Sequence, residues 1–341
     1  MPPSSFHNDQ ISNLETTLLR RPSQYILTMT ATSSNTHPSR RKFIARSVQA
    51  AALISASGAV RATAIHNVKI TGDQVRGFAI FGEHAAIAVD ASVALYRLSG
   101  QKLKQIDAPA AVRAVAYGST GRLFVALKNR IGEVIDDRIQ LLPGNLQTLP
   151  ADVTRKMTIT SLTVGDTDEL FAADSGNKVV WRIETNGETV SRIAPKSGEF
   201  KVSKAFFPIT WNNGRLIVAE PGRHRVLSFD ATGKQLDRWG THSRKAEGFA
   251  GCCNPVGVAQ MRDGTFVTAE RGQVRIKRFD QSGSYLSELA GPDEFLASVN
   301  AVAAEELNLF GCQSGGMDIA VDHNGIVHVL DRVTRELRTL S

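Results

Sequence analysis

Short runs in which apolar and polar residues alternate fill most of the chain, and Asn-Gly, Asp-Gly or other Gly turns separate them. Alternation with a period of two is typical of half-buried strands, and Asn-Gly or Asp-Gly between two such runs is typical of a tight hairpin. One order of features recurs at 208–233, 256–283 and 317–340: an apolar run, a turn, an alternating run that ends in a carboxylate, a short loop and another alternating run. This recurrence predicts a repeat protein built from antiparallel strands.

Three less regular copies of the same order precede these, at 75–100, 111–128 and 159–187, so the chain contains six units. If the first 64 of the 341 residues are a leader, the 277 that remain give about 46 residues per unit. That length fits a blade of four antiparallel strands. The pattern therefore predicts an all-β fold, a single six-bladed β-propeller over 65–341.

The last unit ends after its third strand, so its fourth strand must come from elsewhere in the chain. Residues 66–70 are strand-like and belong to no unit. We expect this N-terminal strand to complete the last blade, because the pairing closes the ring and removes an exposed sheet edge.

The six units resemble the NHL repeat, whose order is roughly apolar-Gly-Ile-Ala-Val-Asp, a Gly turn, Val-Tyr-Val-Ala-Asp, a loop and Arg-Ile-Gln-Val-Phe. Residues 317–331 carry this order as M-D-I-A-V-D-H-N-G-I-V-H-V-L-D. The resemblance covers about 75–341, and it is close in the last four units and looser in the first two. It implies an NHL-like six-bladed propeller. NHL propellers bind proteins or RNA and related propellers are lyases or lactonases, so the resemblance does not imply one function.

A leader is predicted before the propeller. Residues 39–44 read S-R-R-K-F-I, with Arg40 and Arg41 as paired arginines, and an Ala-rich apolar run at 48–60 is followed by A-T-A at 62–64. This order resembles a twin-arginine signal peptide, which exports folded proteins in bacteria. We therefore expect a signal over 39–64, a disordered extension or a mis-called start over 1–38, and a periplasmic or secreted protein. An uncleaved amphipathic anchor is the alternative.

The predicted propeller is close to neutral. The whole chain has 40 Lys and Arg against 33 Asp and Glu, but residues 1–64 hold seven of the basic and two of the acidic residues. The remainder has 33 basic and 31 acidic residues, so no nucleic-acid partner is expected. No later stretch is apolar for 18 residues, so we expect no membrane span after cleavage. We expect a monomer.

Strand directions alternate within a blade, and this places the inter-blade loops and the loops between second and third strands on one face, here called the site face. Cys252, Cys253 and Cys312 all fall on the inter-blade loops that precede two consecutive blades. We predict a disulfide from Cys252 or Cys253 to Cys312, because an exported protein folds in an oxidising space. A thiolate-bound metal, copper or an iron-sulfur centre, is the alternative.

Carboxylates end the second strand in five of the six units, at Asp90, Asp174, Glu220, Glu270 and Asp331. A residue that recurs at one repeat position is expected to be structural, and we predict ion pairs with the basic residues that open the third strands, Arg225, Arg275 and Arg335. Glu270 and Arg271 lie beside the cysteine loop. They complete the ligand-binding candidates of the site face: Cys252, Cys253, Asn254, Glu270, Arg271 and Cys312.

Two further groups bring polar side chains towards the centre of the ring. Arg223, His224, Arg271 and Arg332 reach the site face and could form an anion site, but a solvated loop rim is the interpretation we favour. The inner strands offer Arg113, Ser161, Thr210, Gln260 and Asp318. This set is too poor in metal ligands to predict a propeller hydrolase.

Two classes of function follow from these patterns. The first is an exported binding or scaffold propeller that holds a protein or a small-molecule ligand on its site face, and it needs no convergent set of ligand residues. The second is an enzyme, or a redox or metal cofactor protein, with its site at Cys252, Cys253 and Cys312. The sequence identifies neither the ligand, nor the cofactor, nor a catalytic residue.

Overall fold

The computed structural model describes residues 64–185, 190–296 and 316–340. In this part of the chain, 24 strands form six antiparallel sheets of four strands each, arranged in a ring. The prediction of an all-β, six-bladed β-propeller is therefore confirmed. The predicted export signal with Arg40 and Arg41 lies outside the described residues, and so does Cys312.

Each of the first five blades follows chain order from its innermost to its outermost strand. Blades 1 to 3 contain β2–β5 (Val75–Phe81, His84–Val89, Ser92–Arg97, Lys102–Asp107), β6–β9 (Ala114–Tyr117, Leu123–Ala126, Ile131–Ile135, Arg138–Leu141) and β10–β13 (Ile159–Val164, Leu170–Asp174, Val179–Ile183, Val190–Ile193). Blades 4 and 5 contain β14–β17 (Ile209–Asn212, Arg215–Glu220, Arg225–Phe229, Gln235–Trp239) and β18–β21 (Gly257–Gln260, Phe266–Glu270, Arg275–Phe279, Tyr285–Ala290). Blade 6 contains β22 (Met317–Val321), β23 (Val327–Asp331), β24 (Glu336–Leu340) and β1 (Ala64–Lys69).

Within the described ranges, helical segments are few and lie in the loops. Two short α-helices span Ala151–Lys156 and Pro292–Leu296, and two 3-10 turns span Asn145–Thr148 and Pro221–Arg223. Within the described ranges, none of these helices has the length and apolar character that crossing a membrane requires.

The N-terminal strand β1 closes the ring, as the sequence predicts. It pairs antiparallel with β24, with Asn67 opposite Arg338. Just after β1, the Ile70 amide donates a hydrogen bond to the Arg335 carbonyl at 2.8 Å. Val68 and Ile70 are 6% and 2% exposed, so the strand also adds apolar side chains to the core. On the inner side of the same blade, β22 lies beside β2, which brings blade 6 against blade 1.

The hydrophobic core lies between neighbouring sheets. The second strands are the most completely buried elements, and every residue of β11 and β19 is buried. Fully buried alanines such as Ala86, Ala88 and Ala172 leave room for the next sheet to approach. The outermost strand of blade 1, in contrast, buries only Ile106. The blades therefore stabilise one another by face-to-face packing, and the inner strands are free to surround a central channel.

Two of the predicted ion pairs at the ends of the second strands are present. Glu220 accepts a hydrogen bond from Arg225 Nε at 2.5 Å, and Glu270 accepts one from Arg275 Nη2 at 2.5 Å. Both glutamates are fully buried, so each arginine neutralises a charge that would otherwise be costly. These recurrent carboxylates are parts of the scaffold.

The predicted pair between Asp331 and Arg335 is wrong. The Asp331 carboxylate accepts the backbone amides of Val333 and Thr334, at 2.9 and 3.1 Å, so it caps its own loop. Arg335 donates instead to the carbonyl of Gly72 at 2.6 Å. The physical reason is the shorter aspartate side chain, which reaches the nearby amides of its loop more readily than the guanidinium beyond them.

A buried histidine lies in the blade that β1 completes. His328 on β23 is 2% exposed, with Nε2 at 3.3 Å from Asp322 Oδ2 and Nδ1 at 3.1 Å from Thr339 Oγ1. Burial lowers the pKa of His328, and the Asp322 carboxylate partly offsets that effect. The folded blade therefore favours the neutral imidazole.

We expect Ile70→Ala to lower the free energy of unfolding by about 2–4 kcal/mol, because it opens a cavity where β1 meets the core. Asn67→Ala on β1 is the control, since Asn67 is exposed. Urea denaturation measures both. Equal effects of the two substitutions would show that burial of the Ile70 side chain does not stabilise the closed ring.

We also expect the stability of the protein to fall as the pH drops below the ordinary histidine pKa of 6.5. The pKa of His328 is lower in the folded state, so the unfolded chain binds the proton first and acid favours unfolding. His328→Gln should flatten this loss between about pH 7 and 5. His84→Gln, at an exposed position, is the control. Thermal melts across this pH range test the prediction, and parallel curves for wild type and His328→Gln would contradict it.

Candidate binding site at the mouth of the central channel

A channel of about 280 Å³ runs between the six inner strands. Small residues such as Gly77, Ala114 and Gly257 line it. Each inner strand begins at the site face, where the inter-blade loops meet, and runs to the opposite face. The first residues of the inner strands therefore surround the mouth of the channel on the site face.

Several polar side chains inside the channel already have hydrogen-bond partners. Ser161 Oγ accepts the Ile209 amide at 3.4 Å, and Thr163 Oγ1 accepts the Trp211 amide at 3.1 Å. The Gln260 amide donates to a turn carbonyl at 3.0 Å. These side chains satisfy backbone and turn groups that would otherwise lack partners, which explains why the predicted inner-strand set contains few free ligand groups.

Three arginines from three blades approach one another at the mouth. Arg76 lies on β2, Arg113 lies just before β6, and Arg332 follows β23. Burial lowers the pKa of Arg76, and the positive charges of Arg113 and Arg332 lower it further, while Asp90 acts in the opposite direction. The mouth is therefore a positively charged region in which guanidinium groups repel one another.

Arg332 is held by a carboxylate on the neighbouring inner strand. Its Nη2 lies 2.7 and 2.6 Å from the two oxygens of Asp318. Burial raises the pKa of Asp318, and the contact with Arg332 opposes that rise. A Cβ at Gly77 would lie 3.3 Å from Asp318 Oδ2, so the glycine in blade 1 leaves room for the carboxylate of blade 6.

Polar atoms at the mouth lack hydrogen-bond partners. Arg76 Nε, Arg113 Nε and Thr160 Oγ1 are buried and have no partner within the described structure. Arg76 Nη2 donates to Gln74 Oε1, but neither Arg76 nor Arg113 forms an ion pair with a described carboxylate. A buried polar group without a partner costs about 1–3 kcal/mol, so this cluster is a place where a ligand can contribute hydrogen bonds.

The sequence interpretation names Arg113 and Arg332 but misses Arg76 and Thr160. A signal for them exists, because the inner strands of blades 1 to 3 read V-R-G-F-A-I at 75–80, V-R-A-V-A-Y at 112–117 and I-T-S-L-T-V at 159–164. Arg76, Arg113 and Thr160 take the same position in these three strands. This shared position in the first strands is the sequence signal of the cluster.

Asn254, one of the predicted ligand residues, is buried with its side chain fully engaged. Its Nδ2 donates to the carbonyls of Ala250 and Arg271, and its Oδ1 accepts the Arg271 amide at 2.8 Å. Asn254 therefore joins the inter-blade loop to the end of β19. This arrangement favours a structural role.

Glu270 takes part in a second contact with the same loop. It pairs with Arg275 and with Lys277, whose Nζ lies 3.0 Å from Glu270 Oε1. Lys277 is fully buried and also donates to the carbonyls of Ala246 and Gly248. Burial lowers the pKa of Lys277, and the Glu270 charge opposes that shift. The residue pattern does not indicate that this lysine is buried, because Lys277 occupies an ordinary third-strand position.

Arg271 packs close to the loop that precedes blade 4. Its guanidinium lies 4.8 Å from the centre of the Phe206 ring, and Arg271 is 6% exposed. The Phe206 ring also lies against Gly316, the residue before β22. Phe206 thus reaches across from blade 4 to the beginning of blade 6 on the site face.

The two described cysteines form no disulfide with each other. Cys252 is exposed and Cys253 is half-buried. Next to them, His224 Nε2 lies 2.8 Å from the Gly251 carbonyl, and the His224 and His242 rings are 4.6 Å apart between centroids. In the three described ranges, no group of three or more His, Cys, Asp and Glu side chains could hold a metal ion. Because Cys312 lies outside these ranges, the disulfide and the thiolate-metal site both stay predictions.

No protein-family model and no curated protein matches this chain. Similar solved structures exist. A gluconolactonase from Xanthomonas campestris is 16% identical, with a TM-score of 0.57, over 85% of this chain and 99% of that one. A virginiamycin B lyase from Staphylococcus aureus is 15% identical, with a TM-score of 0.53, over 81% and 98%. A protein of unknown function from Bacteroides thetaiotaomicron is 13% identical, with a TM-score of 0.58, over 83% and 75%.

At these identities the similarity establishes the propeller fold alone. It does not establish the NHL family, which stays an interpretation of the repeats.

Proposed function

We propose that this chain is an NHL-like binding propeller that takes a small molecule at the site-face mouth of its central channel. The observation that carries the proposal is the cluster of buried polar atoms without partners, contributed by Arg76, Arg113 and Thr160. Other buried polar side chains near the site face, such as Asn254 and Glu270, have protein partners. Single atoms without a partner also occur elsewhere, at Thr268 and Thr334 for example, but the mouth combines three of them from equivalent positions of consecutive blades beside the channel.

A small molecule fits this site better than a protein partner. The groups without partners lie at the beginning of the inner strands, inside the rim that the loops form, and the channel behind them holds about 280 Å³. A flat protein surface would contact the loops before it reached these atoms. A compact ligand can enter the mouth and contact several blades at once.

A binding role also agrees with the structural roles of the buried carboxylates on the site face. Glu220 and Glu270 are each neutralised by arginine, and Asp331 caps its loop. Groups engaged in this way are poorly placed to act as general bases, because their oxygens already accept hydrogen bonds from the protein. The alternative, an enzyme or cofactor protein at Cys252, Cys253 and Cys312, needs a residue outside the described ranges.

We further propose that Cys312 forms a disulfide with Cys252 or Cys253. The support is the placement of all three cysteines on the loops before two consecutive blades. Non-reducing peptide mapping of the exported protein should detect one cross-linked peptide pair and one alkylated thiol. Three alkylated thiols in metal-free protein would contradict both the disulfide and the thiolate-metal alternative.

The binding proposal predicts that filling the mouth abolishes ligand binding without unfolding the protein. Gly77→Leu places a side chain beside Asp318 and narrows the mouth without changing its charge. Ala91→Leu is the control, because Ala91 is exposed on a second-to-third strand loop of the same blade. Saturation-transfer NMR with a small-molecule library should give ligands that bind wild type and Ala91→Leu.

The same ligands should bind Gly77→Leu weakly or not at all, and circular dichroism should show that this variant keeps its strand content. Undiminished binding by folded Gly77→Leu would place the ligands elsewhere. A library without any ligand for wild type would count against the proposed function itself.

A further inference from the structure

We infer that the ligand of the channel mouth is a small organic anion, a carboxylate or a phosphate, which Arg76 and Arg113 bind through side chains from two consecutive blades. Thr160 of the third blade supplies a hydroxyl, and the Arg332–Asp318 pair closes the site from blade 6. This inference rests on the proposed function, because it assumes a ligand at this mouth and assigns its chemistry.

The first argument is the type of group that lacks a partner. The Nε–H groups of Arg76 and Arg113 are donors and cannot accept, and a threonine hydroxyl can donate. Three such groups together call for a ligand that presents several acceptor oxygens. Carboxylates and phosphates do so, and a guanidinium binds them through two parallel hydrogen bonds.

The second argument is the backbone geometry that aims these side chains. The pairing of β2 with β3 shifts register between Val75 and Gly77, and the pairing of β10 with β11 shifts between Ile159 and Ser161. Arg76 and Thr160 are the residues at these two irregularities. A bulge interrupts the ladder and redirects the side chain at that position, and bulges of this kind are frequent beside binding sites.

Arg113 occupies the same position in blade 2. Its amide donates to the Ala126 carbonyl at 2.7 Å before the regular ladder of β6 begins. The three side chains therefore come from equivalent places in consecutive blades of one ring. Because blades 1, 2 and 3 are neighbours around the mouth, a ligand that binds one of these side chains is also near the other two.

The third argument is the balance of charge. Arg76, Arg113 and Arg332 carry three positive charges, and Asp318 and Asp90 are the carboxylates that act on them. The Asp318 oxygens bind Arg332, while those of Asp90 accept the amides of Asp73 and Gln74. One positive charge remains without a counterion among these groups. An anion relieves the mutual repulsion of the guanidiniums, whereas a cation would add to it.

The fourth argument concerns size. A channel of about 280 Å³ lies just below the usual range of ligand pockets, which is about 300–1,000 Å³. The ligand is therefore a molecule of few heavy atoms, with its charged group at the arginines. Its remaining atoms lie in the channel, where side chains such as Ser161 and Thr163 already have partners.

The test uses the full chain and measures binding of inorganic phosphate, methyl phosphate, acetate and succinate by isothermal titration calorimetry at constant ionic strength. Acetamide is the neutral counterpart of acetate. We expect at least one anion to bind, and Arg76→Gln and Arg113→Gln each to weaken it by about tenfold or more, because each removes a charge-assisted hydrogen bond. Arg138→Gln is the matched control, since Arg138 is an exposed arginine on the outermost strand of blade 2.

A second measurement reports the site directly. The Nε–H resonances of Arg76 and Arg113 in a ¹⁵N-labelled sample should shift when the bound anion is added, and that of Arg138 should not. Tighter binding of the two phosphates identifies a phosphate ligand, and tighter binding of acetate or succinate identifies a carboxylate. Either result supports the inference.

The inference fails if Arg76→Gln and Arg113→Gln bind the anions as tightly as wild type. It also fails if only neutral ligands bind and Gly77→Leu abolishes their binding, in which case the proposed function stands without the anion. If neither anions nor neutral molecules bind at the mouth, both the inference and the proposed function are overturned.

Discussion

β1 and β24 come from opposite ends of the described chain, and their ladder completes the outer edge of blade 6. Without this pairing the last sheet would have three strands, and Val68 and Ile70 would lose the core that covers them. The inner strand of that blade, β22, packs beside β2 of blade 1. The closed ring therefore depends on a strand that is distant in sequence, and so do the contacts that cross this junction.

The channel mouth is one of the features that need the closed ring. Asp318 of blade 6 lies against Gly77 of blade 1, and it holds Arg332 where the charge of Arg332 acts on Arg76. No blade contains the site by itself. Each contributes one or two side chains to an arrangement that exists only when blades 6, 1, 2 and 3 are neighbours around the axis. Such a site can vary through a few side chains while the sheets that hold it stay unchanged.

The fold could be predicted from the sequence because its evidence is periodic. Alternating runs and Gly turns recur often enough to count six units. The strand-like segment at 66–70 belongs to none of them, and the last unit is the one that lacks a fourth strand. The site was harder to predict, since side-chain partners depend on distances between blades. Asn254 and Glu270 have the chemistry of ligand residues, but burial and neighbouring loop groups engage them. Arg76 lies at a register shift that the residue pattern does not show.

Under the proposed binding role, ring closure and ligand binding are linked in free energy. A ligand that contacts guanidiniums from several blades binds the closed ring and has no equivalent site in the unfolded chain. It therefore stabilises the folded state by RT ln(1 + [L]/Kd), about 2.7 kcal/mol at a ligand concentration of 100 Kd. The unbound ring keeps buried donors without partners and guanidiniums that repel one another. These groups lower the stability of the unbound folded state. The packing between blades and the β1–β24 ladder offset this loss.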